Sequence, residues 1–274
     1  MLRVGYKQLD TYAVWTADEY FDLEQAQRRE FLRRFDRLHE WHRYEQLPDY
    51  VAFLAAIRTR VQKGLARDDY LWMADGARKR YRVVVNYASD DAAAILMTVT
   101  PAQVEALKRQ WDKINRRYVR EYRIEDGVEE QRRERNRRLF ARIRDWTSNL
   151  SDEQERKIIA LADANEVSVV FYKLRYEDRL RRQREFLHLM TQRGDPARFQ
   201  AGLRHFLLNW EEGRNPEYDQ LFKEWEQKQG DLYAAVARML TPAQLATTLG
   251  RLQGYMDTFT ELSKRPEKPV AAVR

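Results

Sequence analysis

Helical periodicity dominates the pattern of hydrophobic and polar positions along the chain. Between positions 21 and 45, apolar or aromatic residues recur every three or four positions, as at Phe31, Phe35 and Leu38. That spacing places their side chains on one face of an amphipathic helix. Comparable segments follow one another as far as Ser263, with short connections between them. The pattern predicts an all-α protein, an elongated or cradle-like bundle of about ten helices.

A short motif of the form apolar–Ser/Thr–x–x–Gln opens several of these segments. The first four backbone N–H groups of a helix lack partners within the helix. A Ser or Thr can accept a hydrogen bond from one of them, and a Gln three residues later can accept one from the cap residue itself. The predicted capping pairs are Thr100 with Gln103, Ser151 with Gln154, Thr241 with Gln244 and, in a weaker copy, Asp22 with Gln25.

Breaks in the periodicity predict how the helices are divided. Leu47-Pro48 is expected to end the first long helix, because proline disfavours helical backbone in the residue before it. A helix over about residues 67–87 is expected to be followed by a short one, capped by Ser89 or Asp90. A further break is expected near Asn165.

No linker is long enough to force a division into separate domains. Residues 1–20 are expected to be a lead-in segment that packs on the body. Residues 21–264 are expected to form a single all-α domain. A division of this domain into two lobes that meet near Asn149 is left open. Residues 265–274 contain two prolines and are expected to be a disordered tail.

Composition supports long helices and removes several kinds of chemistry. The 274 residues include only ten Gly and seven Pro, and 34% of them are charged. The absence of Cys excludes disulfides, thiolate catalysis and Cys-based metal sites. The net charge of +7 would suit an anionic partner, but acids and bases alternate closely along the chain, which weakens that inference.

The histidines give the only metal candidates, and they are weak ones. His39 and His42 are three residues apart on a helix, and Glu45 follows three residues later, so the three could face one ion. Both histidines also flank the apolar stripe, where a hydrogen-bonded and half-buried imidazole is common. We therefore expect no metal and no cofactor. No catalytic constellation is evident, so the protein is expected not to be an enzyme.

Aromatic residues interleaved with arginines are the best candidates for a binding surface. Such a combination can hold apolar segments of other chains, and it would also suit stacking on bases. The candidate binding residues are Trp41, His42, Tyr81, Arg82, Tyr118, Arg120, Tyr172, Tyr176 and Arg179.

An ordered series of motifs resembles an uncharacterised proteobacterial lipoprotein family of unknown function. The series covers nearly the whole chain and consists of residues 6–10, 18–23, 41–43, 47–50, 145–146, 150–154, 215–218 and 240–244. The resemblance implies a native N-terminal lipid anchor, on a Cys that this chain lacks, and a periplasmic location, most naturally at the outer membrane. Met1 is then expected to take the place of a removed leader.

The capping motif is also similar to the L-T-x-x-Q motif of the Spy-type periplasmic chaperones, which are all-α and form cradle-like dimers. That similarity is limited to the pentapeptides, and it implies a chaperone-like role and a homodimer by analogy. The leading hypothesis is a non-enzymatic cell-envelope protein that binds proteins or envelope components, as a chaperone or an adaptor. The alternatives are nucleic-acid or anionic-polymer binding through the arginine-rich helices, and an enzyme with an unrecognised site at His39, His42 and Glu45.

Overall fold

The computed structural model describes Tyr6, residues 8–164 and residues 170–265, and the secondary structure of this part is helical throughout. The predicted all-α bundle of about ten helices is confirmed. Numbered in chain order, the helices are α1 Leu9–Phe21, α2 Gln25–Trp41, α3 Leu47–Lys63, α4 Arg67–Met97, α5 Pro101–Tyr122, α6 Val128–Thr147, α7 Asp152–Ala164, α8 Val170–Met190, α9 Pro196–Leu208, α10 Pro216–Met239 and α11 Pro242–Leu262.

Helix α4 is the element around which the others are arranged. Its 31 residues span roughly 46 Å at 1.5 Å per residue. It packs against α2, α3, α9 and α10, while α11 packs against α3. Helices from the first half of the sequence therefore share their core with helices from the second half.

The predicted break at Ser89 or Asp90 is wrong, because α4 runs through both residues. Ser89 is fully buried, and its hydroxyl donates to the Asn86 carbonyl within the same helix. It also accepts a hydrogen bond from Nε of Arg204 on α9, at 3.0 Å. The serine joins two packed helices, so its side chain is not available to cap a new one.

The predicted end at Leu47-Pro48 is also wrong, because α2 continues into α3 through a π-helical turn at His42–Gln46. A wider i→i+5 turn inserts one extra residue and leaves room for a proline ring that an α-turn would exclude. Leu47 is 1% exposed and packs with Tyr6 and Leu262. Burial of this leucine holds the helix in place across the proline.

Apolar clusters distribute the core along the bundle. One cluster joins α4, α8 and α9 around Phe199 and Leu203. A second joins α6, α7 and α10 around Leu139 and Ile158. A third joins α8 and α10 around Phe171. Removing the ring of a fully buried phenylalanine such as Phe171 or Phe199 typically costs about 3–5 kcal/mol.

Two pairs of glutamines connect helix starts that are distant in sequence. In the first glutamine pair, Gln27 of α2 and Gln103 of α5 are both buried and exchange amide hydrogen bonds at 3.1 and 2.6 Å. The Gln27 amide nitrogen also donates to the Thr98 carbonyl, and that of Gln103 donates to the Asp22 carbonyl. Each amide oxygen accepts the N–H of its own helix's cap residue. All donors and acceptors of both amides are thereby used.

The second glutamine pair repeats this arrangement between α7 and α11. Gln154 and Gln244 exchange amide hydrogen bonds at 2.8 and 3.0 Å. Their nitrogens also donate to the carbonyls of Met239 and Asn149, each two residues before the partner helix's cap. The oxygens accept the cap N–H groups of Ser151 and Thr241. The motif's glutamine thus caps its own helix and binds a second helix start.

The weaker copy of the motif lies in a different register from the predicted one. The cap is Glu24, whose N–H donates to Gln27, so the pair Asp22 and Gln25 does not form the capping box. Asp22 instead ends α1 with a left-handed backbone, at φ 48°. Leu23, 4% exposed, supplies the buried apolar residue that precedes the cap.

The ends of the chain are described only in part. The predicted lead-in segment contains α1, which packs on α2 and α5. Residues 165–169, where a break was predicted, and residues 266–274 of the predicted tail lie outside the described residues. No helix in the described part of the chain is both long enough and apolar enough to cross a membrane.

Candidate functional site

An aromatic groove lies where the end of α2 meets α4 and the end of α9. Trp41, the last residue of α2, stacks flat on Tyr87 of α4, with ring centroids 3.9 Å apart and planes 5° apart. Beside this stack is a hollow of about 630 Å³, whose wall consists of Trp41, Arg82, Val83, Asn86, Tyr87, Leu208 and Asn209. We call this surface the Trp41 groove.

The floor of the Trp41 groove is unusually apolar for a surface. Val83 and Tyr87 are 47% and 43% exposed, and because they are four residues apart on α4 they lie side by side. Next to them, Tyr81 is 40% exposed and meets Trp210 edge to face at 4.8 Å. Contiguous exposed apolar surface of this kind commonly marks an interaction site.

The rim of the groove carries charges of both signs. A second hollow of about 590 Å³ lies on the other side of the Trp41–Tyr87 stack, bordered by Arg37, Glu40, Tyr44, Glu45 and Arg265. Arg82 borders the first hollow, its guanidinium lies 6.0 Å from the Trp210 ring centroid, and it makes no ion pair within the described residues. An apolar centre with a mixed polar rim is the usual anatomy of a protein-binding surface.

The predicted binding residues divide between two places. Trp41 and Arg82 border the groove, and Tyr81 lies beside it. Tyr118 instead stacks on Tyr122 and Tyr176, away from the groove wall, and Arg179 lies 5.4 Å from its ring. Tyr172 of α8 lines a separate cleft in that region. Arg120 is exposed on α5 and lines neither surface.

His42 lies outside the groove, packed against the N-terminal segment. Its Nδ1 is 2.9 Å from the hydroxyl of Tyr6, and the Tyr6 ring also lies 4.8 Å from the His39 ring. Glu45 is near Arg265 instead, at 3.4 Å. Within the described residues, no group of three or more potential metal-ligating side chains comes together. The weak candidates His39, His42 and Glu45 therefore do not form such a group.

The two histidines make stability sensitive to acid. Burial lowers the pKa of both imidazoles below 6.5, and the nearby charges of Arg43 for His39 and of His39 for His42 act in the same direction. The folded protein therefore binds fewer protons than the unfolded chain as the pH falls through 6.5. Stability is fully present above that pH and decreases below it.

We expect the free energy of unfolding to fall between pH 7 and pH 5 by at most about 1.4 kcal/mol per pH unit for each imidazole, because each takes up at most one proton. Partial solvation of both rings makes the decrease smaller than this limit. Urea unfolding at several pH values measures this slope. The double variant His39→Gln/His42→Gln should show a shallower slope than the parent. The variant His188→Gln, which removes an imidazole far from Tyr6, is the control, and an equal flattening there would contradict the assignment.

Sequence reasoning missed five of the seven residues that form the groove wall. Val83, Asn86, Tyr87 and Leu208 were not among the predicted binding residues, although they form much of its wall. The available signal was the run Val83-Val84-Val85. Three consecutive apolar residues on a helix cannot all face the core, so at least one must be exposed to solvent.

A protein-family model matches most of the chain. Residues 19–219 match the model of a family of unknown function (DUF6279). No curated protein matches the chain. No solved structure matches it either. The matched range begins within α1, ends at the start of α10 and includes every residue of the Trp41 groove's wall.

Proposed function

We propose that this chain, which belongs to that family of unknown function, binds segments of other polypeptides at the Trp41 groove and catalyses no reaction on them. The observation that carries the proposal is the flat Trp41–Tyr87 stack set in an exposed apolar floor. Large aromatic rings at the centre of a surface patch provide much of the binding energy in protein interfaces. The rim of mixed charge would accept clients of varied sequence, as a chaperone-like protein requires.

The alternative of nucleic-acid binding has less support from the described residues. Binding to a phosphate backbone needs many lysines or arginines whose charge is not already compensated. Along α6, Arg132 pairs with Glu129, Arg133 with Glu130 and Arg137 with Glu134. These i,i+3 pairs reduce the positive field along the most arginine-rich helix.

Aggregation of a chemically denatured client protein, diluted into buffer with an equimolar amount of this protein, tests the proposal. We expect aggregation to be slowed, and a bulky apolar peptide added in excess should abolish the effect by occupying the groove. Unchanged aggregation, together with a pull-down that enriches no polypeptide, would contradict polypeptide binding. Enrichment of one partner would instead favour an adaptor over a chaperone.

We also propose that the native protein lies in the cell envelope, held by an N-terminal lipid. The support is the resemblance of the motif series, from residues 6–10 to residues 240–244, to lipoproteins. Fractionation of cells that express the native gene, with intact-mass measurement of the product, checks this. A diacylated N-terminus in the membrane fraction is expected, and an unlipidated protein in the cytoplasm would contradict it.

A further inference from the structure

A second cleft, separate from the Trp41 groove, is enclosed by α5, α6, α7, α8 and α10. The cleft has a volume of about 430 Å³, within the range of small-molecule sites. Six arginines and only two acidic residues line it: Arg132, Arg135, Arg137, Arg138, Arg142 and Arg175, with Glu134 and Asp163. We call it the arginine cleft.

The regular spacing of α6 brings three of these arginines together. Arg135, Arg138 and Arg142 are three and four residues apart, so they lie on one face of the helix around buried Leu139. Arg175 approaches from α8, one turn after Tyr172. The cleft therefore has guanidinium groups on two of its walls.

The two acids are already engaged by arginines of the same cleft. Glu134 accepts hydrogen bonds from Arg137 at 2.6 Å and from Arg138 at 2.7 Å. These contacts hold the pKa of Glu134 at about 2, so it stays ionised. Asp163 lies 3.9 Å from Arg132. Within the described residues, neither acid of the cleft pairs with Arg142 or Arg175.

Arg142 and Arg175 are the arginines that a ligand would meet without displacing a partner. Within the described residues neither makes a hydrogen bond or an ion pair from its side chain. Burial raises the pKa of the Tyr172 phenol, and the positive charges of Arg135, Arg175 and Arg142 act in the opposite direction. All three guanidinium groups thus act on the same phenol at the base of the cleft.

Aromatic side chains complete the walls. The Arg135 guanidinium lies 4.9 Å from the Tyr172 ring centroid, and that of Arg138 lies 4.1 Å from the Tyr122 centroid. Trp225 of α10 is supported from behind by Phe171, with centroids 5.9 Å apart. The rings can receive the flat or apolar body of a ligand, while the arginines receive its charge.

We propose that the arginine cleft binds a small organic anion, in which a carboxylate or phosphate oxyanion is carried on a ring-containing body. The planar guanidinium fork matches both oxyanions in geometry. The volume of the cleft limits the ligand to roughly the size of a mononucleotide or an acylated aromatic amino acid. This site is separate from the Trp41 groove and does not depend on polypeptide binding there.

Isothermal titration calorimetry with matched probes tests the proposal. N-acetyltryptophan is compared with its neutral amide, adenosine 5′-monophosphate with adenosine, and inorganic phosphate reports on the anion alone. We expect at least one charged probe to bind tenfold or more tightly than its neutral counterpart, and more weakly as salt is raised. Preference for the carboxylate or for the phosphate identifies the source of the oxyanion. Equal binding of charged and neutral members in both pairs would overturn the proposal.

Variants locate the binding site. Arg142→Gln/Arg175→Gln should remove the advantage of the charged probe, because it removes both uncompensated guanidinium groups. Arg133→Gln is the matched control, since its side chain is 74% exposed, pairs with Glu130 and lies outside the cleft. Thermal unfolding of each variant verifies the fold. Retention of charge-selective binding by a folded double variant, or its equal loss in Arg133→Gln, would contradict the assignment.

Discussion

Replacing Gln103 by alanine is expected to destabilise the protein by about 3 kcal/mol, because a buried donor or acceptor left without a partner costs about 1–3 kcal/mol. The substitution removes the acceptor of the Thr100 N–H and the donor to the Asp22 carbonyl. It also removes both hydrogen bonds of the amide exchange with Gln27. Urea denaturation, followed by circular dichroism, measures the loss as a lower midpoint.

Gln253→Ala is the matched control for the first glutamine pair. Gln253 also lies in a helix and donates to Asp257, but both side chains are exposed. Its loss should cost less than about 0.5 kcal/mol. In the double variant Gln27→Ala/Gln103→Ala, the loss should be smaller than the sum of the single losses, since each single variant already breaks the exchange. Equal effects of Gln103→Ala and Gln253→Ala would contradict the role assigned to the pair.

Replacing Trp41 by alanine is expected to weaken binding of an unfolded client by about 30-fold. An interface anchor of this kind is worth about 2 kcal/mol or more, and that energy corresponds to this change in affinity. Loss of the indole removes both the ring that forms the groove wall and the support that keeps Tyr87 in position. Fluorescence anisotropy of a labelled, permanently unfolded client measures the dissociation constant.

Trp15→Ala separates a local effect from the general loss of an exposed tryptophan. Trp15 is 58% exposed on α1, where it contacts Tyr12, and it lies outside the groove. Client affinity should change by less than about twofold in this variant, as expected for a residue outside the interface. Trp41→Phe should retain part of the affinity because it keeps a ring against Tyr87. Similar losses of client affinity in Trp15→Ala and Trp41→Ala would contradict the assignment of the groove as the binding site.

The helices could be predicted from the sequence because their periodicity is a local property. Capping motifs also located the starts of α5, α7 and α11, at Thr100, Ser151 and Thr241. The register of the weaker copy was not predictable from cap preference, because Glu24 is not among the residues preferred at an N-cap. The position of Leu23 and Gln27 relative to the complete copies gives the observed register.

The sites were harder to predict because they depend on contacts between helices that are distant in sequence. The Trp41 groove needs α2, α4 and α9 to meet, and nothing local to Trp41 indicates Tyr87 or Leu208 as its neighbours. The arginines at 135, 138 and 142 recur at helical spacing in the sequence. Their enclosure by Tyr172 and Trp225 follows only from how α8 and α10 pack on α6.

Site-specific photocrosslinking tests polypeptide binding at the Trp41 groove most directly. A photoreactive phenylalanine derivative placed at Val83 would lie within the groove, and the same group at Val128 would lie outside it, although both valines are 47% exposed. Irradiation with an unfolded client should give abundant adducts from position 83 and few from position 128. Equal adduct yields at the two positions, or none at position 83, would contradict the proposed function.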